Sequence, residues 1–353
     1  MFYFSGTGNA KQIALWFSEF AIKKHIDCQI FDISKTDIDN IETISSDTLI
    51  TIISPIHGFN YPKITLNFIA HFPKGGNNIV LMNTRAGMKI GRFVTPGLTG
   101  IAFLLSSVIL KNKGYRIVGQ IPFDMPSNWI SIHPALNDNT VKFLHEKNYY
   151  RVAGHSDKIF SGKSDFLAYR DLVQDILISP VSLAYYFAGK YLFAKSFYAS
   201  INCDNCGLCV KQCPVNAIKT IDNRPYWTHK CESCMKCMNS CPKKAIETAH
   251  GLIVTISILC SITITILLNN ILKISIQSGI IRLLLFSFVF FVLIWILYKL
   301  QHLLLRNKLI GKLISYTSLT ITNFGDDINR FQIINGKNKT LLTTMVAVAQ
   351  LKK

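Results

Sequence analysis

The residues in this chain best able to do chemistry are eight cysteines in two runs. Cys203, Cys206, Cys209 and Cys213-Pro214 are followed twenty-eight positions later by Cys231, Cys234, Cys237 and Cys241-Pro242. Ala217-Ile218 recurs at the same offset as Ala245-Ile246, so one unit is written twice. Each copy spells C-x2-C-x2-C-x3-C-P, a run whose thiolates suit a cubane of iron and sulfide. Three closely spaced cysteines wrap three corners, and the chain then leaves too steeply to reach the fourth, which the other copy supplies. The expected sets are Cys203, Cys206, Cys209 with Cys241, and Cys231, Cys234, Cys237 with Cys213, one [4Fe-4S] cluster each. Pro214 and Pro242 turn the chain away after the crossing cysteine. Structural zinc would favour paired C-x2-C knuckles a dozen or more residues apart. Disulfides would want an oxidising compartment, and no stretch reads as a signal peptide. His229, Met235 and Met238, set among the ligands, read as packing or as tuning local polarity. Cys28 and Cys260 read as passive apolar residues.

A second stretch offers a place for phosphate. Phe2-Tyr3-Phe4 reads as a short strand, Ser5-Gly6-Thr7-Gly8-Asn9-Ala10 as a glycine turn, and a helix begins near Lys11. Backbone N–H groups at such a helix start favour an anion. A dinucleotide fold competes, because Gly6-x-Gly8 follows a strand and Asp32 ends the next. Lys11 stands where the third glycine would be, however, and Ser5 and Thr7 supply the hydroxyls that a monophosphate wants.

Elements must position these groups. Apolar runs at 28–33, 48–54, 78–84 and 115–121 read as strands, and 11–24, 63–71 and 96–113 as helices. Near-continuous apolar strands alternating with helices predict a parallel sheet covered on both faces. Ligands then sit beyond the C-terminal strand ends, where the loops 5–10, 54–62 and 83–91 meet. The stretch 122–137, rich in proline and aromatics, reads as a loop. It could serve as a lid or as a docking surface through Trp129 or His133, or simply pack. Helical patterning over 138–163 completes a domain of residues 1–163.

Ser5-Gly6-Thr7-Gly8-Asn9 resembles the phosphate loop of the flavodoxin family, with Ala10 departing from the hydroxyl that usually closes it. The resemblance implies FMN, with Ser5, Gly6, Thr7, Gly8 and Asn9 around its phosphate. Pro55, Ile56, His57 and Gly58 would form a second flavin loop, in which His57, Phe59 or Tyr61 packs on the isoalloxazine. Asn83, Thr84, Arg85, Ala86 and Gly87 would form a loop at the pyrimidine edge. There Arg85 or Lys89 could stabilise charge on the reduced flavin, or both could be solvated. Residues 1–250 resemble the family in which a flavodoxin-like domain is fused to a bacterial-type two-cluster ferredoxin, here at 201–250 after a helical connector at 164–200. That family is taken to carry electrons between partner enzymes.

At 353 residues the chain has room for two or three domains. Its 38 Lys and Arg against 20 Asp and Glu give a net charge of +18, compatible with nucleic acid, a membrane surface or acidic partners. No basic run carries interleaved aromatics, so nucleic acid is not expected. Residues 252–272 are uncharged and 278–298 are broken only by Arg282, which can snorkel. Each run is long enough to cross a bilayer. They predict a transmembrane hairpin within 251–300, turning at 273–277, with a buried helical pair in a soluble assembly as the alternative. Lys299, Arg306, Lys308 and Lys312 then place the tail 301–353 on the cytoplasmic side of the cell membrane with the N-terminal domains. Residues 303–314 would lie on the inner leaflet. The connector, apolar at three- and four-residue intervals, packs between domains or lies on a membrane surface.

The expected fold is thus α/β: a flavodoxin-like doubly wound parallel sheet, a small α+β two-cluster ferredoxin domain and a two-helix transmembrane hairpin. The expected function is a membrane-anchored electron carrier that relays electrons between FMN and two [4Fe-4S] clusters on the cytoplasmic face and meets redox partner proteins. The alternatives are a membrane oxidoreductase acting on a quinone or small substrate, with His57 and His133 as lone acid–base candidates, and a flavin-free iron-sulfur docking protein.

Overall fold

The computed structural model describes residues 1–38, 41, 44–90, 93–132, 136–266 and 279–320. In its first part, strands β1 (Phe2–Tyr3), β2 (Phe31–Asp32), β3 (Ile50–Pro55), β4 (Asn78–Ile90) and β6 (Arg116–Pro126) form a parallel sheet in the order β2-β1-β3-β4-β6. Strand β5 (Phe93–Thr95) pairs antiparallel with β4. Helices α1 (Asn9–Lys23) and α4 (Asp138–Phe160) cover one face, and α2 (Lys63–His71) and α3 (Ala102–Asn112) the other. A strand order that reverses beside β1 is the flavodoxin-like doubly wound arrangement, with its switch point between β1 and β3. The expected α/β class is borne out, and the apolar runs explain it. Ile50, Ile52 and Ile53 in β3, and Ile79, Val80, Leu81 and Met82 in β4, are buried between the two helical layers.

Two stretches expected to be loops are strand. Asn83–Gly87 lie within β4 and pair register by register with Pro122–Pro126 of β6. The two strands continue past the sheet edge because β5 folds back on β4, and because Arg85 of β4 is paired with Asp124 of β6 at 2.7 Å. His133 and the side chains of Lys89 and Arg282 lie outside the described residues. So do 267–278, which take in the end of the first apolar run and the expected turn, and the tail from residue 321.

The connector is one helical rod. A 3₁₀ turn (Leu167–Asp171) leads into α5 (Leu172–Ala184), a π-helical turn (Tyr185–Gly189) and α6 (Lys190–Ser196). Polar residues tie it to the sheet domain. Asp171 pairs with Arg85 at 2.6 Å, Asp175 accepts hydrogen bonds from the Thr99 and Gly100 N–H groups, and the Ser182 hydroxyl donates to the Phe59 carbonyl.

The small cysteine-bearing domain opens and closes on one antiparallel pair, β7 (Phe197–Ala199) with β10 (Ile246–Thr248). Between them lie α7 (Leu208–Lys211), the hairpin of β8 (Ile218–Ile221) and β9 (Arg224–Trp227), and α8 (Lys236–Ser240). The duplication read from the cysteines is also a duplication of backbone. Asn205, Gly207 and Asn216 adopt positive φ, and Ser233, Met235 and Lys244 do so in the second copy. Ser233, Met235 and Lys244 hold a left-handed conformation that L-residues avoid unless their surroundings impose it.

Beyond this domain, α9 (His250–Ile266) packs on α10 (Gly279–Leu304), with Cys260 and Ile264 against Phe286, Val289, Phe290 and Leu293. His250 hydrogen-bonds the Ser131 carbonyl, while at the far end of α10 the Tyr298 hydroxyl accepts from the Trp227 N–H. The helices therefore run antiparallel, with the start of α9 and the end of α10 both at the cysteine-bearing domain. Helix α11 (Lys308–Tyr316), capped by the Asn307 side chain, follows. Among the described residues, two helical stretches are long and apolar enough to cross a membrane: Leu284–Leu304, with mean hydropathy 2.1, and Leu167–Ser196, with 1.2. The second is the connector. Only 11% of its apolar window is buried, so its outer face does not pack between domains.

Candidate cofactor sites

The phosphate-loop residues fold as a tight turn into α1. Gly8, at φ 110°, caps that helix without any side-chain hydrogen bond, so the first N–H groups of α1 lack a side-chain partner. Ser5 Oγ accepts from the Gly8 N–H, and Thr7 Oγ1 accepts from the Asn128 side chain. Each hydroxyl still has its own proton to donate, and a phosphate in front of α1 would receive both. Ala10, at the position where the resemblance implies a hydroxyl, is buried and packs with Ile13, Ala14 and Phe17.

A cleft of about 610 Å³, open mouth included, lies over this turn. Ser5, Gly6, Thr7 and Asn9 line it, as do Pro55, Ile56 and His57 after β3 and Thr84, Arg85 and Ala86 in β4. Of the other expected flavin contacts, Gly8, Gly58, Asn83 and Gly87 do not line it. The sheet domain adds Pro126, Ser127, Asn128 and Trp129. The remaining wall comes from Ser233, Cys234 and Met235 of the cysteine-bearing domain, which strand and helix periodicity had no means of revealing. The contact is close. A Cβ built on Gly6 would stand 2.6 Å from the Cys234 carbonyl oxygen and 3.2 Å from its Sγ.

Among the rings, Tyr61 is buried in the core, donating its hydroxyl to the Met82 carbonyl, and Phe59 does not reach the cleft. His57 and Trp129 do. Burial of its ring lowers His57 to about 4, so the ring is neutral near pH 7. Its Nδ1 and the Trp129 Nε1 are buried without hydrogen-bond partners among the described residues. His57 and Trp129 thus bring two aromatic rings to the cleft wall, which a flat heterocycle could pack against. Arg85 is buried, not solvated, with Asp124 and Asp171 on its guanidinium. Burial works against its charge, and the two carboxylates outweigh it and hold its pKa above the ordinary value.

Cys203, Cys206, Cys209 and Cys241 line a second cleft, while Cys231 and Cys234 have Cys213 beside them and Cys237 has Cys231, Cys234 and Cys209. None of the ten cysteines is joined in a disulfide. Burial, then neighbouring sulfurs, pushes Cys209 and Cys234 up to about 11, and burial pushes Cys231 and Cys237 up as well. Such thiols become ligands only against positive charge, which iron supplies. Backbone N–H groups point at the sulfurs in both copies, Ala217 to Cys213 at 3.2 Å and Ala245 to Cys241 at 3.4 Å. Among the described residues no three His, Cys, Asp or Glu side chains converge on a single metal ion. A cubane spreads its four thiolates over four irons and asks for no such convergence. Met235 and Met238 are buried among the cysteines, and His229 is exposed.

Residues 202–246 match the family described as the 4Fe-4S dicluster domain. No curated protein matches the chain. Among solved structures, the chain is similar to the FMN-bound flavodoxin of Fusobacterium nucleatum, at 15% identity over 46% of this chain and 96% of that one, TM-score 0.31. It is similar to Megasphaera elsdenii flavodoxin in its two-electron reduced form, at 19% identity over 36% and 90%, TM-score 0.27. It is also similar to the Flv1 flavodiiron core of Synechocystis sp. PCC6803, at 15% identity over 45% of this chain and 35% of that one, TM-score 0.29. The chain thus spans about a third of that flavodiiron structure's length. By its own strand order and by the family matched at 202–246, the chain joins a flavodoxin-like sheet to an iron-sulfur domain.

Proposed function

We propose that this chain is a membrane-tethered electron-transfer protein that holds one FMN and two [4Fe-4S] clusters and passes electrons to and from redox partner proteins at the cytoplasmic face. The observation that carries the reading is the shared wall: the Ser233–Cys234–Met235 turn closes the cleft over the phosphate loop, with Cys234 against Gly6. When bound, FMN would exchange electrons singly or in pairs and each cluster one at a time. The start of α1, Ser5 and Thr7 would hold the phosphate, and His57 and Trp129 the ring. The second cysteine set would stand next to the flavin, and the first set beyond it. Glu232 fixes the junction by accepting a hydrogen bond from the Lys63 N–H at 2.9 Å, where a carboxylate also suits the start of α2. Apolar α9 and α10 would tether the whole to the bilayer.

Anaerobic purification with iron and flavin counted per chain tests this. The expected result is about eight irons and one flavin, with about half the iron lost in Cys241→Ser and in Cys213→Ser. The flavin is expected to stay reducible through the clusters only where Cys213 is intact. Flavin-free protein at full iron content, or loss of all iron in either variant, would overturn the reading.

A further inference from the structure

We propose that α5 is a second membrane contact, lying on the lipid surface with its outer face in the acyl-chain boundary. This inference rests on the membrane-tethered reading above. Between Leu172 and Gly189 the one charged side chain is Asp175, and it is turned inward onto the Thr99 and Gly100 N–H groups. Ser182 also faces inward. The outer face is left to Val173, Ile176, Leu177, Val181 and Phe187, of which Val173 and Leu177 are each 74% exposed and Phe187 70%. This polarity is the inverse of an ordinary surface helix, which turns apolar residues to the core and polar ones to water.

The neighbouring elements identify the occupant. The same rod continues through α6 to Lys195, whose Nζ lies 4.4 Å over the Tyr298 ring at the end of α10. The apolar face of the connector is thus joined to the place where the proposed tether leaves the bilayer. Helix α11, which follows α10 after three residues, exposes Leu309 and Leu313 beside Lys308 and Lys312, as an interfacial helix does. A protein interface of this size would be expected to offer hydrogen-bonding groups and a polar rim; of the side chains exposed on α5, only Gln174 offers hydrogen bonds. The helix lies along the surface and does not span, because Asp171, Asp175 and Ser182 hold one side of it to the sheet domain.

The test is to reconstitute the full chain into phosphatidylglycerol–phosphatidylcholine vesicles carrying a diazirine on the acyl chain, photolyse, and map lipid adducts by mass spectrometry. Adducts are expected on 172–187 as well as on 284–303. In V173E/L177E with unchanged iron content, those on 172–187 are expected to fall at least ten-fold while those on 284–303 stay. Adducts on 284–303 alone would overturn the proposal and leave the tether intact, whereas adducts on neither would overturn both. Crosslinks between two copies through 173 or 177, or undiminished adducts on 172–187 in the variant, would also overturn it.

Discussion

His57, half-buried, and Arg85, buried, are basic groups on one cleft, and they meet desolvation differently. His57 gives up its charge. Its folded pKa of about 4 lies below the unfolded value near 6.5, so between these pH values the unfolded chain binds the proton and the folded chain does not. Its contribution is therefore full above about pH 6.5 and lost as pH falls toward 4. Between pH 7 and pH 5 the wild type is expected to lose about 1 to 2 kcal/mol of stability more than His57→Gln does, read from denaturation midpoints at the two pH values. Arg85 keeps its charge by pairing with Asp124 and Asp171. In Arg85→Met, Asp171 loses its cation and Asp124 keeps only Arg151 at 3.6 Å and the Gly97 N–H, and thermal unfolding is expected to show a loss of about 3 kcal/mol. Of these two roles, spacing and residue type made His57 legible as a cleft residue. The burial of Arg85 was not legible, because its partners lie far along the chain, and a basic residue in a stretch read as a loop is ordinarily solvated. The doubled cysteine run was legible as an iron-sulfur segment, and the family matched at 202–246 covers all eight of its cysteines.

Among the elements, those with a strong period were readable and those held by distant contacts were not. Helices α1, α2 and α3 and strand β3 follow apolar runs that any buried sheet requires. The extension of β4 and β6 past the sheet edge had no such signal, because ladder hydrogen bonds between distant segments, not side-chain pattern, hold Asn83–Gly87 against Pro122–Pro126. The connector shows the same limit: its three- and four-residue period says helix, but which face meets the protein depends on Asp175 finding two N–H groups in another segment. In Asp175→Ala those two groups are left unpaired, and a loss of about 1 to 3 kcal/mol is expected in chemical denaturation, with faster hydrogen exchange across 172–184. Unchanged exchange there would show that α5 is held by something else.

At the scale of the whole molecule, the contact between Gly6 and Cys234 joins the two domains into one site. A methyl group at Gly6 would meet backbone and Cβ of Cys234, neither of which can swing aside. Gly6→Ala is therefore expected to cost about 1 to 3 kcal/mol and to disturb the cluster of the second cysteine set, seen as a changed EPR spectrum of that cluster with the other unaltered. That one side of the cleft belongs to another domain is a fact of assembly, which no local reading of the phosphate loop could supply.

On the proposed function, the same shared wall would set an order of maturation. The Ser233–Met235 turn bends through left-handed backbone at Ser233 and Met235, a shape that iron binding at Cys231, Cys234 and Cys237 would hold in place. On that reading, until the metal arrived the nucleotide would meet a vestibule with one side unset. Cells starved of iron should therefore yield chains depleted in flavin as well, even when riboflavin is plentiful, and restoring iron alone should restore both.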